Sequence, residues 1–219
     1  MSKVRAHLGI TLDGYVTGPN QSPEKPFGDG AEHMNDWLFA LASARKLFGQ
    51  EGGETGPSDD VFRERLENVG AVVMGRKMFG GGPGPWGHAR WGNEQWNGWW
   101  GEDPPYHAPV FVLTHHARAS VAMKGGTTFH FMTEGAEHAF AQAKTAAGTA
   151  DVLIAGGAHT VQQYLGAGLI DELELHLVPM LLGAGERLFD GVTQSRTRLE
   201  QIRVVAGNGV THLKYAVRK

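Results

Sequence analysis

The sequence predicts a mixed α/β fold, in which helices cover both faces of a mostly parallel sheet that ends in an antiparallel pair of strands. The first observation is that short apolar runs alternate with segments of helical spacing along most of the chain. The second is that several of these runs are apolar without interruption, as in strands buried on both faces. The third is a hairpin signal, because the stretches 199–206 and 210–217 flank Gly207-Asn208-Gly209.

The amino-terminal part of the chain predicts a strand, a turn and two helices. Apolar and polar residues alternate over 4–10, and Asp13-Gly14 follows as a turn. Residues 18–30 are rich in Gly and Pro and predict a loop. Apolar residues at helical spacing then predict a helix over 31–48. Ser58 is placed to cap a second helix, whose apolar face extends to Val69.

The central and carboxyl-terminal parts alternate buried strands with helices. Apolar runs predict strands over 71–74, 110–113, 129–132 and 152–154. Helices are expected from Thr133 to about Gly148 and over 160–165. Over 173–177 leucine alternates with glutamate and histidine, which predicts a half-exposed strand.

Residues 80–108 form a Gly-, Pro- and Trp-rich insertion in this pattern. A loop of this length in a compact domain usually carries function or packs on itself. It can therefore cap a flat aromatic substrate by stacking, or form its own aromatic cluster or a subunit contact. Its tryptophans are Trp86, Trp91, Trp96, Trp99 and Trp100.

Charge and composition exclude several classes of function. The chain has 20 Lys and Arg against 23 Asp and Glu, a net charge of -3, without the basic face that nucleic acids and membrane surfaces require. It has no cysteine, which excludes disulfides and thiolate catalysis, and its histidines lack the spacing of a metal site. No apolar run is long enough for a signal peptide or a membrane span. We expect a soluble, cytoplasmic protein without a bound metal.

Three strand ends carry candidate binding residues. They are Gly75-Arg76-Lys77, the polar segment from Thr114 and His115 to Arg118, and the segment from Gly156-Gly157 to Thr160. The carboxyl ends of parallel strands meet at one edge of a sheet, so these segments should lie together. Glycines before a helix and nearby cations suit a phosphate. The alternatives are plain turns with surface cations, and close helix–sheet packing at the glycines.

Five motifs in order resemble the dihydrofolate reductase fold. The resemblance is greater to the branch related to the reductase half of the bifunctional riboflavin-biosynthesis deaminase–reductase, and it covers nearly the whole chain. The motifs are Thr11-Leu12-Asp13-Gly14-Tyr15-Val16, Val72-Val73-Met74-Gly75-Arg76-Lys77-Met78, Val112-Leu113-Thr114-His115-His116, Ile154-Ala155-Gly156-Gly157-Ala158-His159-Thr160-Val161, and Leu177-Val178-Pro179-Met180-Leu181-Leu182-Gly183-Ala184-Gly185.

The resemblance implies one dihydrofolate-reductase-like domain over 1–219, of three α/β/α layers, that contains the 80–108 insertion. It implies an NADPH-dependent oxidoreductase that reduces a small heterocyclic substrate, pterin- or pyrimidine-like, by hydride transfer. In relatives the Gly-Gly bond is often cis, which makes Gly156-Gly157 a candidate. The implied cofactor-binding residues are Gly9, Ile10, Val16, Gly75, Arg76, Lys77, Thr114, His115, Arg118, Gly156, Gly157, Ala158, Thr160 and Val161.

Catalysis also requires one proton, and Asp13 beside the nicotinamide strand is the first candidate to handle it. The alternative is that Asp13 only shapes an Asp-Gly turn. Asp36 and Trp37 are further candidates. The competing class of function is a non-catalytic homodimer that binds NADP or an aromatic ligand. We expect a small-molecule substrate and a homodimer, and neither nucleic acid nor a membrane as partner.

Overall fold

The computed structural model describes residues 2–87, 96–192 and 198–218. The strands are β1 (Val4–Thr11), β2 (Tyr15–Thr17), β3 (Val69–Gly75), β4 (Pro109–Leu113), β5 (Val121–Ala122), β6 (Thr128–Met132), β7 (Asp151–Gly156), β8 (Glu172–Val178), β9 (Glu186–Arg187), β10 (Arg198–Gly207) and β11 (Val210–Arg218). The helices are α1 (Asp36–Ala40), α2 (Ala42–Leu47), α3 (Pro57–Glu64), α4 (Arg76–Phe79), α5 (Ala136–Ala147) and α6 (Ala158–Gly166).

Nine strands form the main sheet, in the order β10-β11-β8-β1-β7-β3-β4-β6-β5. The six strands from β8 to β6 in this order are parallel to their neighbours. The hairpin of β10 and β11 adds to β8 in antiparallel orientation, and β5 adds to β6 in the same way. Strands β2 and β9 form a separate antiparallel pair. The predicted mixed, mostly parallel sheet with a carboxyl-terminal hairpin is confirmed.

Helices cover both faces of this sheet, as predicted. On one face Ala6 and Ile10 of β1 pack in a core with Ala143 of α5 and Val161 of α6. On the other face α1, α2 and α3 cover one end of the sheet. The rest of that face is covered by α4 and by the described part of the insertion, where Trp100 packs on the core. The apolar residues of β1 therefore all face the core that α5 and α6 cover.

The helix predicted over 31–48 is wrong in its extent. The structure has turns before Asp36 and two short helices, α1 and α2, that are separated at Leu41. Leu41 is extended because the chain at Glu54 pairs with its neighbours: the N–H of Glu54 donates to Ala40 O at 2.7 Å, and the N–H of Ala42 donates to Glu54 O at 2.8 Å. A pairing partner this distant in sequence, Glu54 for Leu41, is invisible to local periodicity.

Two other helix starts also differ from the prediction. Helix α3 follows Gly56 with Pro57 as its first residue, so Ser58 lies inside the helix and its Oγ contacts His212 Nε2 at 3.0 Å. Val69 starts β3 instead of continuing α3. Helix α5 starts at Ala136 after Gly135, three residues beyond the predicted start.

Strand β8 is buried, and the prediction of a half-exposed strand is wrong. Glu172, Glu174 and His176 are at most 9% exposed. The strand has neighbours on both sides, and the ring of Trp37 lies 5.1 Å from that of His176. The buried carboxylate of Glu174 is compensated by Arg203, which donates to its Oε1 at 2.9 Å.

In the described part of the chain, no helix is long and apolar enough to cross a membrane. The organisation as one domain over 1–219 stays a prediction, although one sheet includes strands from both ends of the chain.

Candidate functional site

The carboxyl ends of β3 and β7 lie side by side at one edge of the sheet. The peptide bond between Gly156 and Gly157 is cis, as the resemblance implied. Beside Gly75 the space is narrow, since a β-carbon there would come 2.6 Å from Thr160 Oγ1 and 3.7 Å from Gly156 O. Beside Gly157 it is open, and a β-carbon would meet no atom within 4 Å. A ligand can therefore approach the backbone of the Gly-Gly turn closely.

Helix α6 starts directly after this turn and directs its first N–H groups towards the same edge. The side chains of Ala158, Thr160 and Val161 are at most 4% exposed. The N–H groups of Thr160 and Val161 donate to Gly157 O, at 3.1 and 3.2 Å. The backbone N–H of Ala158, at the first position of α6, is therefore suited to contact a phosphate oxygen.

Two arginines converge at the ends of β3 and β4. The guanidinium carbon of Arg76 lies 3.8 Å from the ring centre of Trp86, and that of Arg118 lies 5.0 Å from the same ring. Arg76 donates to Gly81 O at 3.0 Å, and Arg118 donates to Trp96 O at 2.6 Å. Burial lowers the pKa of Arg76, and the charge of Arg118 lowers it further. The insertion therefore holds two positive charges close together at this edge.

The other residues predicted to contact phosphate, Lys77, Thr114 and His115, differ in whether their side chains already have partners within the protein. Lys77 forms an ion pair with Glu186. Thr114 is buried, and its Oγ1 accepts a hydrogen bond from the N–H of His116 at 3.2 Å, which shapes the turn after β4. His115 is exposed at this turn.

Among the described tryptophans of the insertion, Trp86, Trp96 and Trp100 pack against the core on the sheet. Trp86 also donates its indole N–H to His116 O at 2.8 Å. Trp99 and Trp100 also line the cleft described next. The structure thus places these side chains where both interpretations of the insertion are possible. Trp91 lies outside the described residues.

A cleft of about 400 Å³ lies between β1, α1, α3 and the insertion, and it extends to Gly156 and Gly157. Gly9 and Val16, both predicted to contact nicotinamide, line it. Ile10 directs its side chain into the core of the opposite face, so only its backbone can contribute. The walls are mainly apolar, and their aromatic members include Phe27, Trp37, Phe48, Phe62, Trp99, Trp100 and Tyr106.

Asp13, the predicted catalytic carboxylate, does not line this cleft. Its Oδ1 accepts from Thr11 Oγ1 at 2.5 Å, and its Oδ2 accepts from the N–H groups of Leu182 and Gly183 at 2.9 and 2.7 Å. The hydrogen bond from Thr11 is the largest cause of its lowered pKa, and the two N–H donors add to it. These contacts favour the turn-forming alternative, and the catalytic role stays a prediction.

The structure places the two further candidates, Asp36 and Trp37, in different surroundings. Asp36 is exposed and pairs with His33 at 2.8 Å. Trp37 lines the cleft, and its ring lies 5.1 Å from the rings of both His176 and His212. Trp37 therefore belongs to the cleft, whereas Asp36 faces solvent.

The polar residues of the cleft that the sequence interpretation missed include His7, Arg65 and His176. Burial lowers the pKa of both histidines, so both are neutral at neutral pH. In the sequence, the two histidines occupy the polar positions of alternating strands, and the arginine follows a predicted helix. Polar residues at such positions usually face solvent. No local signal marks them. Among the described residues, no three His, Cys, Asp or Glu side chains group as metal ligands.

Comparison with known proteins identifies the family. The family model described as "RibD C-terminal domain" matches residues 2–213. The chain belongs to the RibD C-terminal domain family. Among relatives, the uncharacterized protein YyaP of Bacillus subtilis (strain 168) is 24% identical over 213 residues, which cover 95% of this chain and 91% of that protein.

Solved structures show the same fold. A putative riboflavin biosynthesis protein from Shewanella sp. PV-4 matches with a TM-score of 0.60 and 22% identity, over 99% of both chains. Dihydrofolate reductase from Enterococcus faecalis, complexed with NADP(H) and RAB-propyl, matches with a TM-score of 0.53 and 14% identity, over 99% of this chain and 97% of that one. The dihydrofolate-reductase-like fold of this RibD C-terminal domain family member is therefore shown.

Proposed function

We propose that this chain is an NADPH-dependent reductase that transfers a hydride to a small heterocyclic substrate, pterin- or pyrimidine-like. Membership of the RibD C-terminal domain family supports a reductase-type function, and the related Enterococcus enzyme is complexed with NADP(H). The observation that carries the choice of NADPH is the pair of arginines, Arg76 and Arg118, on the ring of Trp86.

The arginine pair fits the 2′-phosphate of NADPH. Within the described ranges, no carboxylate lies in ion-pair distance of Arg76, and its Nε is buried without a hydrogen-bond acceptor. A phosphate would supply the missing negative charge and acceptors, and guanidinium groups bind phosphate oxygens in bidentate geometry. NADH lacks this phosphate, so we expect a preference for NADPH.

The rest of the carboxyl edge of the sheet suits the pyrophosphate and the nicotinamide of the coenzyme. The open backbone at Gly157 and the N–H of Ala158 can receive its phosphates, and the cleft at Gly9 can receive the nicotinamide. When bound, the coenzyme supplies the hydride. The chain's part is to hold two flat rings together in a mainly apolar cleft and to exclude water. We retain Asp13 as a candidate for handling the proton.

Titration with NADPH and NADH, followed by tryptophan fluorescence, tests this function. We expect NADPH to bind tighter, and Arg76→Ala to weaken NADPH by about tenfold or more while NADH changes little. Arg198→Ala is the matched control, because Arg198 is an exposed arginine on β10. Equal affinity for both nucleotides would overturn the NADPH assignment, and binding of neither would overturn the reductase.

The alternative is a non-catalytic homodimer that binds NADP or an aromatic ligand. The position of Asp13 outside the cleft lining favours it. Tight NADPH binding without oxidation at 340 nm, across pterins, pyrimidines and quinones, would support this alternative over the reductase.

A further inference from the structure

Arg65 places a cation in the wall of the cleft. It follows the last residue of α3, is mostly buried and lines the cleft. Its Nε is buried and has no hydrogen-bond acceptor. Of the other charged residues in the lining, Lys77 pairs with Glu186, and Asp103 lies 3.8 Å from His107. Across 2–87, 96–192 and 198–218, no carboxylate lies in ion-pair distance of Arg65.

The neighbours of Arg65 do not supply a negative charge. Burial lowers the pKa of His7 and His176, and the charge of Arg65 is among the further causes for both. Both imidazoles are therefore neutral near pH 7. Burial raises the pKa of the Tyr106 phenol, which stays protonated. These groups can solvate a guanidinium, but none can neutralise it.

An unpaired, mostly buried guanidinium is energetically unfavourable. Burial lowers the pKa of Arg65, yet an arginine keeps its proton in proteins. Proteins usually place a carboxylate or a bound anion beside a buried cation, because the loss of hydration is otherwise uncompensated. The part of the chain that the structure describes supplies no such carboxylate at Arg65, so the cleft is suited to a ligand that carries the negative charge.

The shape of the cleft restricts that ligand further. A volume of about 400 Å³ is near the lower end for small-molecule sites. Its aromatic walls, which include Phe27, Trp37, Trp99 and Trp100, favour a flat ring over a flexible chain. A planar ring and an anionic oxygen are therefore required in the same small molecule.

We propose that Arg65 binds an anionic oxygen, as a carboxylate, phenolate or enolate, on a planar aromatic ligand held in this cleft. The proposal rests on the proposed function in one respect, namely that this ligand is the substrate of the reductase. It makes Arg65 a specificity-determining residue, because neutral analogues of the same shape leave its charge unpaired.

The test compares 2-naphthoate with 2-naphthamide, which share a ring system and differ in charge. Isothermal titration calorimetry measures both on the full chain and on Arg65→Met, which keeps much of the side-chain length without the charge. We expect 2-naphthoate to bind at least about tenfold tighter than the amide, and Arg65→Met to abolish this ratio. The control is Arg63→Met, since Arg63 is an exposed arginine of α3 that pairs with Asp60; the ratio should persist.

Further measurements separate this proposal from the proposed function. Arg65→Met should bind NADPH as the unchanged chain does, and its unfolding temperature should not fall, because an unpaired charge has been removed. Equal binding of the two probes, or no binding of 2-naphthoate, would overturn the role of Arg65 even if NADPH binds. Selective 2-naphthoate binding without any NADPH binding would instead uphold Arg65 and overturn the reductase.

Discussion

Individual charged residues in and near the cleft differ in whether the protein already provides their hydrogen-bond partners. Asp13 accepts three hydrogen bonds from the protein, whereas Arg65 has no acidic partner within the described chain. A carboxylate that accepts hydrogen bonds from the protein stabilises the fold, whereas a buried cation without an acidic partner favours the binding of an anionic ligand. The contrast argues that binding in this cleft depends more on its cations than on Asp13.

Asp13→Asn tests the turn-forming role. The amide keeps the shape of the side chain but loses the negative charge, and its two polar atoms cannot both accept as the carboxylate does from Thr11, Leu182 and Gly183, so we expect the free energy of unfolding to fall. NADPH affinity should change by less than about twofold, since Asp13 does not line the cleft. Urea unfolding and fluorescence titration measure the two effects. Asp190→Asn, at an exposed carboxylate, is the control. A large loss of hydride-transfer rate with unchanged stability would instead support catalysis.

The buried pair of His176 and His212 predicts a pH-dependent stability. Their Nδ1 atoms lie 2.8 Å apart, and burial lowers the pKa of His212 to about 4. Above the ordinary value of 6.5 both states are neutral, and the pair has no effect. Below this value the two histidines are protonated in the unfolded chain but remain neutral in the folded chain. Stability therefore falls as pH falls from about 6.5 towards 4.

Thermal unfolding between about pH 7.5 and 5 measures this effect. We expect His212→Gln to reduce the slope, because glutamine can still bond Ser58 but does not titrate. His33→Gln, at an exposed histidine, should leave the slope unchanged. An unfolding temperature that is flat across this range would contradict the buried, neutral pair.

Among the structural elements, the insertion has the largest effect on the site. It supplies Trp86 beneath the two arginines, and Trp99, Trp100 and Tyr106 to the cleft. Loop residues placed by a rigid sheet commonly carry specificity in this way. Substrate preference in this chain should therefore depend on the insertion more than on the strands.

Trp86→Ala tests this influence at the coenzyme end. The change removes the ring under Arg76 and the hydrogen bond to His116 O, so the guanidinium is no longer held in place. A lost cation–π contact of about 1 kcal/mol corresponds to roughly fivefold weaker NADPH binding. Trp86→Phe keeps a ring and should show a smaller effect. If Trp86→Ala bound NADPH more tightly, the insertion would be obstructing the site.

The longer strands were predicted well, whereas the two- and three-residue strands β2, β5 and β9 and the short helices were not, for a physical reason. Uninterrupted apolar runs such as 71–74 and 152–154 form strands that are buried on both faces, so the sequence alone indicates them. The break at Leu41 depends on pairing with Glu54, and the burial of Glu174 depends on Arg203, both distant in sequence. The strand ends of the candidate site could be predicted from glycines and cations. Arg65 could not, because its burial in the cleft wall, away from every carboxylate of the described residues, is visible only in three dimensions.

At the scale of the whole molecule, strand β10 exposes apolar side chains that bear on assembly. Strand β10 is an edge of the main sheet, and its Leu199, Ile202 and Val204 are 37, 47 and 49% exposed. Exposed apolar edges favour pairing between chains. The homodimer stays a prediction, and β10 is the surface that we expect it to use.

Sedimentation velocity tests the dimer. We expect a mass about twice that of the 23.7 kDa chain, and a shift towards the monomer in Ile202→Lys. Leu181→Lys, at a leucine that is 78% exposed elsewhere, should remain dimeric. A monomeric unchanged chain at micromolar concentration would show the prediction to be wrong.

The central claim is that NADPH binds along the carboxyl edge of the parallel strands, and a crystal structure of the NADPH complex tests it most directly. We expect the 2′-phosphate within about 3.2 Å of the guanidinium nitrogens of Arg76, and the nicotinamide against Gly156 and Gly157 beside Gly9. A dinucleotide bound elsewhere, or a 2′-phosphate that contacts neither Arg76 nor Arg118, would contradict the account.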